Sequence, residues 1–129
     1  MSDARFCLAL DVPDVSRATD WVVRTANVIG VYKIGLQLFC AEGPQIVDAI
    51  RRAGAKEIFL DLKLHDIPRT VAGAVERLAR LGVDYLTVHT GGGADMLRAA
   101  SEASGQMRLL GVTVLTSMDR HDLSAVGIE

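Results

Sequence analysis

Short apolar runs alternate along the chain with longer segments in which apolar residues recur at the helical period. The short runs predict β-strands, and the longer segments predict amphipathic helices. Because each strand precedes a helix, the order is typical of repeated βα units with a parallel sheet. Five strands are predicted, over residues 5–11, 31–36, 57–63, 84–89 and 108–115.

Helical segments follow the first four strands, over residues 15–27, 44–53, 68–81 and 94–103. Asp14 is a candidate N-cap of the first segment. Gly54 and Gly82 fit the position just after a helix end, because glycine adopts the left-handed conformation at little cost. A further helix is predicted to begin near Asp119 and Leu123, so we expect that the sequence has been cut within a βα repeat.

Two parallel architectures contain such repeats, an open doubly wound sheet and a closed barrel. The first βα turn, at residues 11–14, lacks the glycine fingerprint of a dinucleotide-binding sheet, and this favours the barrel. A complete barrel has about eight βα units and about 250 residues. We therefore predict an α/β fold, a parallel (β/α) TIM barrel of which residues 1–129 form a single domain with the first five units.

The composition describes a globular chain, with 50% hydrophobic residues among 129 and a net charge of −2. Basic residues are scattered among acidic ones, so the sequence has no basic stripe for nucleic acid. The N-terminal segment has neither the pattern of a signal peptide nor a span long enough to cross a bilayer. We expect a cytoplasmic protein that binds neither nucleic acid nor membrane.

Cysteine and histidine positions give no metal-binding pattern. Cys7 and Cys40 lie among apolar neighbours without the CxxC spacing, so we expect buried free thiols. His65, His89 and His121 are isolated and lack a third ligand, so we expect no metal site. His89 ends a strand, where a packed or hydrogen-bonding role is the more common one.

Charged residues interrupt the apolar strands at the ends that would face the mouth of a barrel. Side chains alternate along a strand, so Asp61 and Lys63 are expected to project from one face. The same ends of the other strands carry further polar residues, namely Asp11, Lys33, His89, Thr116 and Ser117. Burying a lysine is costly unless carboxylates pair with it, so the cluster is either a buried ion-pair network or a reaction centre.

The pattern D-x-K-x-x-D, from Asp61 through Lys63 to Asp66, resembles the catalytic motif of the orotidine 5′-phosphate decarboxylase family. Its continuation from Ile67 to Thr70 narrows the resemblance to the decarboxylases themselves. Further blocks at residues 8–11, 32–35, 88–89 and 112–118 fall in the family's order and near its spacing. The resemblance covers the N-terminal half of such an enzyme and implies a barrel fold.

The resemblance implies an enzyme that removes CO₂ from C6 of orotidine 5′-monophosphate and forms UMP, the last step of UMP synthesis. The family works without metal, cofactor or covalent intermediate, so the protein must stabilise the carbanion character at C6. Lys63 would supply a fixed ammonium beside C6 and then the proton that replaces CO₂. Asp61 would lie near the substrate carboxylate and keep Lys63 charged.

The resemblance also implies roles for other polar residues. Lys33 would complete the catalytic array and contact the ribose or Asp61, and Asp11 would bind a ribose hydroxyl. Asp66 would reach into the partner subunit's site, which makes the enzyme a homodimer. Ile67 is also implied to bind substrate, and Thr70 would do so in the partner's site. Thr116 and Ser117 would bind the edge of the pyrimidine.

Two alternatives stay open. A magnesium-dependent sugar-phosphate decarboxylase or aldolase of the same superfamily shares D-x-K-x-x-D, although residues 65–68 favour the orotidylate enzyme. The chain could instead be a catalytically silent half-barrel that only assembles, because five strands leave open sheet edges. The family's phosphate-binding residues would lie beyond Glu129, so we expect the chain to be inactive alone.

Overall fold

The computed structural model describes the backbone of residues 3–128 and the side chains of residues 6–128. Its strands form one sheet in sequence order, and every neighbouring pair is parallel. This arrangement confirms the predicted βα repeats, because parallel neighbours require a crossover connection. The strands are β1 (Asp3–Ala9), β2 (Ile29–Gly35), β3 (Glu57–Leu64), β4 (Tyr85–His89) and β5 (Arg108–Val112).

The helices confirm the predicted alternation, and the structure has one α-helix after β2 that was not predicted. The sequence predicts Leu36 within the second strand, whereas β2 ends at Gly35 and Leu36 begins a short additional helix. The apolar run continues from strand to helix without a polar break, so periodicity alone does not separate them. The helices are α1 (Val15–Thr25), α2 (Leu36–Glu42), α3 (Gln45–Arg52), α4 (Pro68–Ala79), α5 (Gly93–Ala103) and α6 (Arg120–Ala125).

The structure also tests the predicted helix ends and the predicted end of the last strand. Asp14 caps α1 as predicted, and Asp119 caps α6 through a capping box. Gly54 has a φ of 119° directly after the cap of α3, which confirms its predicted role. Gly82 also has a positive φ, 71°, but it lies in the loop because α4 already ends at Ala79. β5 stops short of the predicted residue 115, since its partner β4 ends opposite residue 112.

The hydrophobic core lies between the sheet and the helices. Along β3, Ile58, Leu60 and Leu62 are buried, and they belong to one cluster with the buried faces of α3 and α4. Each such side chain contributes roughly 1.5–3 kcal/mol by leaving water. Right-handed crossovers between neighbouring parallel strands place the helices on a single side of the sheet.

The opposite side, here called the inner face, is only partly covered. Leu110 on β5 lies on this face and is 41% exposed. In a closed barrel the same face is the packed interior. The open inner face explains why side chains that belong to a barrel interior are accessible in this chain.

Both cysteines are free thiols as predicted, but the prediction that they are buried is wrong. Cys7 pairs with Val31 in the sheet register and lies on the open inner face. Cys40 lies two residues after the buried Leu38 and therefore on the other side of α2. Apolar neighbours in sequence alternate between opposite faces, so they do not establish burial.

Candidate active site

Asp61 and Lys63 lie side by side on the inner face near the carboxyl end of β3. Leu60 and Leu62 between and before them are buried toward the helices, which agrees with the alternation predicted for a strand. Lys63 Nζ lies 2.8 Å from Asp61 Oδ1, and the Asp61 side chain is only 15% exposed. This charge-assisted hydrogen bond is the centre of the site.

Two more charged residues extend the pair across β1 and β2. Lys33 Nζ lies 3.5 Å from Asp61 Oδ2 and 3.6 Å from Asp11 Oδ1. Lys33 comes from β2, and Asp11 follows the end of β1. The result is an alternating chain of charges, Asp11, Lys33, Asp61 and Lys63, which we call the lysine–aspartate array.

The structure adds one residue that sequence reasoning missed. Thr87 on β4 is 5% exposed, and its Oγ1 donates to Asp61 Oδ1 at 3.0 Å. The same oxygen accepts the backbone N–H of Lys63 at 2.9 Å. The only sequence signal is a polar residue inside an apolar strand, and threonine is common in strands for its branched shape alone.

The backbone of Lys63 is unusual. Its φ is 48°, the only positive φ among non-glycine residues in the part of the chain that the structure describes. At this point the register between β3 and β4 shifts, because Leu60 pairs with Leu86 whereas Leu64 pairs with Val88. A left-handed residue costs roughly 1–2 kcal/mol, and such strain concentrates at functional sites.

The environment of Asp61 favours its ionised form. Burial acts to raise the pKa of this carboxyl, but hydrogen bonds from Lys63 and Thr87 oppose burial, as do the positive charges of Lys63 and Lys33. The opposing effects prevail, so the pKa lies below its ordinary value of 3.8. Asp61 is therefore an anion at neutral pH and holds both ammonium groups.

Asp61 and Lys63 separate two clefts. One cleft of about 150 Å³ is lined by the whole lysine–aspartate array together with residues of α2. The other, of about 430 Å³, is lined by Asp61, Lys63, Thr116 and Ser117 with neighbouring apolar side chains. The structure thus brings Thr116 and Ser117 to the array, as their position after the last strand predicts.

The loop after β3 lies apart from the array. Asp66 Oδ1 accepts the backbone N–H of Ile67 at 2.6 Å, and both residues line a separate cleft of about 560 Å³. Ile67 is 66% exposed, and Thr70 is exposed in the first turn of α4. None of these three predicted site residues lines either of the two clefts beside Lys63.

His89, for which a packing role is predicted, contacts His65 in the loop after β3. The rings of His65 and His89 stack, with centroids 5.1 Å apart and planes at 30°. Within residues 6–128, no group of three or more His, Cys, Asp and Glu side chains is arranged as metal ligands. In the same range, no helix has the length and apolar character needed to cross a membrane.

Parallel βα units with a lysine–aspartate array at the carboxyl ends of their strands are typical of part of a (β/α) barrel, in which functional residues lie at this end. Comparison with known families identifies which one. The sequence model described as the orotidine 5′-phosphate decarboxylase / HUMPS family matches residues 4–128. The chain belongs to this family.

Individual relatives agree with this assignment. A Thermobifida fusca protein named orotidine 5′-phosphate decarboxylase is 50% identical over 125 residues, which are 97% of this chain and 54% of that protein. The crystal structure of the Lactobacillus acidophilus orotidine 5′-phosphate decarboxylase has 32% identity and a TM-score of 0.83, covering 95% of this chain and 58% of that one. The Methanocaldococcus jannaschii enzyme complexed with the inhibitor BMP has 28% identity and a TM-score of 0.78, covering 84% and 51%.

These matches confirm the predicted partial TIM barrel and the predicted family. The chain spans about half the length of the curated relatives it matches. The matched part carries the array, and the other half of those relatives has no counterpart in the given sequence.

Proposed function

We propose that this chain forms the catalytic half of an orotidine 5′-phosphate decarboxylase, which converts orotidylate to UMP and CO₂. The observation that carries the proposal is the Lys63 ammonium, held 2.8 Å from the Asp61 carboxylate beside two clefts. An ammonium fixed before the reaction stabilises negative charge that develops next to it, and it does so without a reorganisation cost. The names of the relatives support orotidylate as the substrate.

In the proposed reaction, C6 of the pyrimidine lies beside Lys63 Nζ. The bond between C6 and the carboxylate carbon breaks, CO₂ leaves, and the electron pair of that bond stays on C6. Lys63 stabilises this pair and then donates one ammonium proton to C6, after which solvent returns a proton to Lys63. Asp61 keeps Lys63 charged and lies near the departing carboxylate.

The rest of the array and the second cleft have binding roles in this proposal. Lys33 supports Asp61 or contacts the ribose, and Asp11 binds a ribose hydroxyl. Thr116 and Ser117 contact the edge of the pyrimidine from the opposite cleft. These assignments are supported by the position of all four residues around Asp61 and Lys63.

Asp66, Ile67 and Thr70 act in a homodimer in this proposal. The separate cleft that Asp66 and Ile67 line and the exposure of Ile67 and Thr70 support a role in the site of a partner subunit. The proposal also includes no cofactor, a cytoplasmic location, a single domain over residues 1–129, and phosphate-binding residues supplied from outside this chain.

A second candidate function is supported by the open inner face. Leu110 on β5 and Val114 and Leu115 just after it are 41%, 40% and 37% exposed, and several exposed apolar side chains in one region favour association. The chain alone would then be a catalytically silent half-barrel. The magnesium-dependent sugar-phosphate enzyme remains a further alternative, because it shares the D-x-K-x-x-D pattern.

The test uses a fusion in which this chain replaces the matched N-terminal part of the T. fusca relative. We call this fusion the completed protein. Loss of orotidylate absorbance is followed with the chain alone, with the chain plus the separately expressed remainder of the relative, and with the completed protein. The Lys63→Ala form of the completed protein controls for contaminating enzyme.

We expect no turnover by the chain alone and turnover by the completed protein that survives a chelator. The proposal would be contradicted if circular dichroism shows that the completed protein is folded and the assay shows that it has no activity. Turnover of a sugar phosphate that a chelator abolishes would support the magnesium-dependent alternative. Turnover by the chain alone would contradict the silent half-barrel.

A further inference from the structure

A closed ring of hydrogen bonds joins Thr87 to both functional residues of β3. Thr87 Oγ1 accepts the backbone N–H of Lys63 at 2.9 Å and donates to Asp61 Oδ1 at 3.0 Å. Lys63 Nζ donates to the same Oδ1 at 2.8 Å. One hydroxyl therefore binds the main chain of Lys63 and also the carboxylate that holds the Lys63 side chain.

The direction of each bond in this ring follows from the chemistry of its members. An ionised carboxylate only accepts, and an amide N–H only donates. The single hydroxyl proton of Thr87 therefore goes to Asp61, and an oxygen lone pair takes the Lys63 N–H. Because Thr87 is 5% exposed, bulk water does not replace either bond.

The ring coincides with the irregular point of the sheet. Lys63 has a φ of 48°, and the register between β3 and β4 shifts between Leu60 and Leu64. In a regular ladder the Lys63 N–H would donate to a carbonyl oxygen of the neighbouring strand. Here it donates to the Thr87 hydroxyl oxygen instead. Without that acceptor, a partly buried N–H would have no partner while the backbone kept its strained conformation.

We propose that Thr87 is a positioning residue for the reaction proposed above. Its hydroxyl holds Lys63 in the left-handed backbone conformation and holds Asp61 in the orientation that aims the Lys63 ammonium at the substrate. Thr87 acts through these two residues and not on the substrate. The inference rests on the proposed function, because only there does the aim of Lys63 have a chemical consequence.

Thr87 projects from the inner face, where its cross-strand partner in the register is Leu110, whereas Leu86 and Val88 on either side of it are buried toward the helices. Valine has nearly the same shape as threonine but lacks the hydroxyl. The cost of replacing Thr87 by valine therefore comes mainly from the two lost hydrogen bonds. The exchange of threonine for valine therefore separates the hydroxyl from the shape.

The test compares three variants of the completed protein. Thr87→Val removes both hydrogen bonds, and Thr87→Ser keeps the hydroxyl but loses the methyl group. Thr25→Val is the matched control, because Thr25 at the end of α1 also has a hydroxyl with two hydrogen bonds, to the Trp21 carbonyl at 2.7 Å and to the Tyr32 hydroxyl of β2 at 2.8 Å. Tyr32 is buried on the helix side of the sheet, opposite the array. Each variant is first checked for folding by circular dichroism.

We expect Thr87→Val to lower kcat by about 10–100-fold with less than about a threefold change in KM, since misplacing a catalytic group affects chemistry more than binding. Thr87→Ser should stay within about threefold of the unaltered protein, and Thr25→Val within about twofold. A kcat for Thr87→Val equal to that of the unaltered protein overturns the positioning role and leaves the decarboxylation intact.

Amide hydrogen exchange at Lys63 gives a readout that does not depend on activity. We expect exchange to become at least about tenfold faster in Thr87→Val and to stay unchanged in Thr87→Ser and Thr25→Val. Unchanged exchange in Thr87→Val overturns the ring. If the completed protein is folded but inactive, the proposed function fails, and this measurement alone decides whether the hydroxyl holds Lys63.

A fourth variant covers the case in which Thr87→Val does not fold. Thr87→Ala is then compared with Thr87→Ser, because these two side chains differ by one oxygen atom. The same loss of kcat and the same faster exchange at Lys63 are expected for alanine relative to serine. Equal values for the two variants overturn the proposal.

Discussion

Two charged clusters lie on the inner face of the same sheet, one at each end of the strands. At the amino ends, Glu57, Tyr85 and Arg108 form what we call the glutamate–arginine cluster. Glu57 Oε2 accepts from the Tyr85 hydroxyl at 2.8 Å and from Arg108 at 3.1 Å, while the Arg108 guanidinium lies 3.9 Å from the centre of the Tyr85 ring. The hydrogen bond to Glu57, with some help from burial, raises the pKa of Tyr85, so the phenol stays protonated and keeps donating.

The lysine–aspartate array at the other end is arranged differently. Two ammonium groups share the Asp61 carboxylate, and within residues 6–128 the ion pair of Lys63 is with Asp61 alone. An ammonium has three protons to donate, so Lys63 keeps donor capacity beside the two clefts. The backbone at Lys63 is also strained, whereas the glutamate–arginine cluster lies on regular strands.

The comparison teaches that charged residues on strands serve two purposes in this chain. The glutamate–arginine cluster joins β3, β4 and β5 through groups that satisfy one another, which is a structural arrangement. The lysine–aspartate array holds a charge in place and leaves part of its bonding capacity for another molecule. Residue type alone does not distinguish the two clusters, and the pattern of partners does.

The largest expected effect is at Lys63. Lys63→Ala in the completed protein should lower turnover by about 1,000-fold or more, because the ammonium and the proton donor are both lost. The melting temperature should change little, since Lys33 still pairs with the Asp61 carboxylate after Lys63 is lost. Steady-state kinetics and thermal unfolding check both parts. Near-normal turnover would remove the distinction drawn between the two clusters.

A mixture of two defective subunits tests whether the array is completed across a dimer. Asp66→Ala and Lys63→Ala subunits of the completed protein are co-expressed with different tags, and the heterodimer is purified. One of its two sites regains both residues by symmetry, so activity should be about half that of the unaltered dimer. Homodimers of each variant are the controls. No recovery in a verified heterodimer would contradict a shared site.

Glu57→Gln should show the opposite behaviour from Lys63→Ala. The neutral amide accepts more weakly from Arg108 and Tyr85, so the free energy of unfolding should fall by about 1 kcal/mol. Turnover should stay within about threefold of the unaltered completed protein, because this cluster lies at the far end of the strands. Chemical denaturation and kinetics measure the two effects. A loss of turnover without a loss of stability would reverse the roles assigned to the clusters.

The smallest expected effect is the titration of Asp61. Because its pKa is lowered in the folded chain, the carboxyl should titrate below 3.8 when followed by NMR of its carboxyl carbon. A lowered folded pKa means that its contribution to stability is complete above 3.8 and is lost as the pH falls through the lower value. Thr87→Val should move the midpoint upward, since one favourable hydrogen bond is gone. A midpoint at or above 3.8 in the unaltered chain would contradict this account of the array.

Much of the fold could be predicted from periodicity. The order of strands and helices, the N-cap at Asp14 and the start of a helix near Asp119 follow from local patterns. The short helix α2 could not be separated from β2, because its apolar residues continue the run of the strand. The exposure of Cys7 also escaped prediction, because it depends on whether the inner face is covered.

The candidate site was also predicted in part. Alternation along a strand determined that Asp61 and Lys63 share a face, and the carboxyl ends of parallel strands determined that Asp11 and Lys33 lie near them. The loop residue Asp66, which the resemblance assigns to the partner's site, lines a cleft separate from the two beside Lys63, so its role depends on an assembly that one chain does not show.

By itself, the sequence determined the βα order, the family and the pairing of Asp61 with Lys63, because these depend on periodicity and on motifs of neighbouring residues. Only the tertiary structure decided that Thr87 joins them, that the backbone of Lys63 is left-handed, and that the two clusters differ in their partners. Those features depend on the register between β3 and β4 and on contacts between residues 24 or more positions apart. Local sequence patterns indicate which strand ends meet, but they do not determine the register between two strands or a hydrogen bond that depends on it.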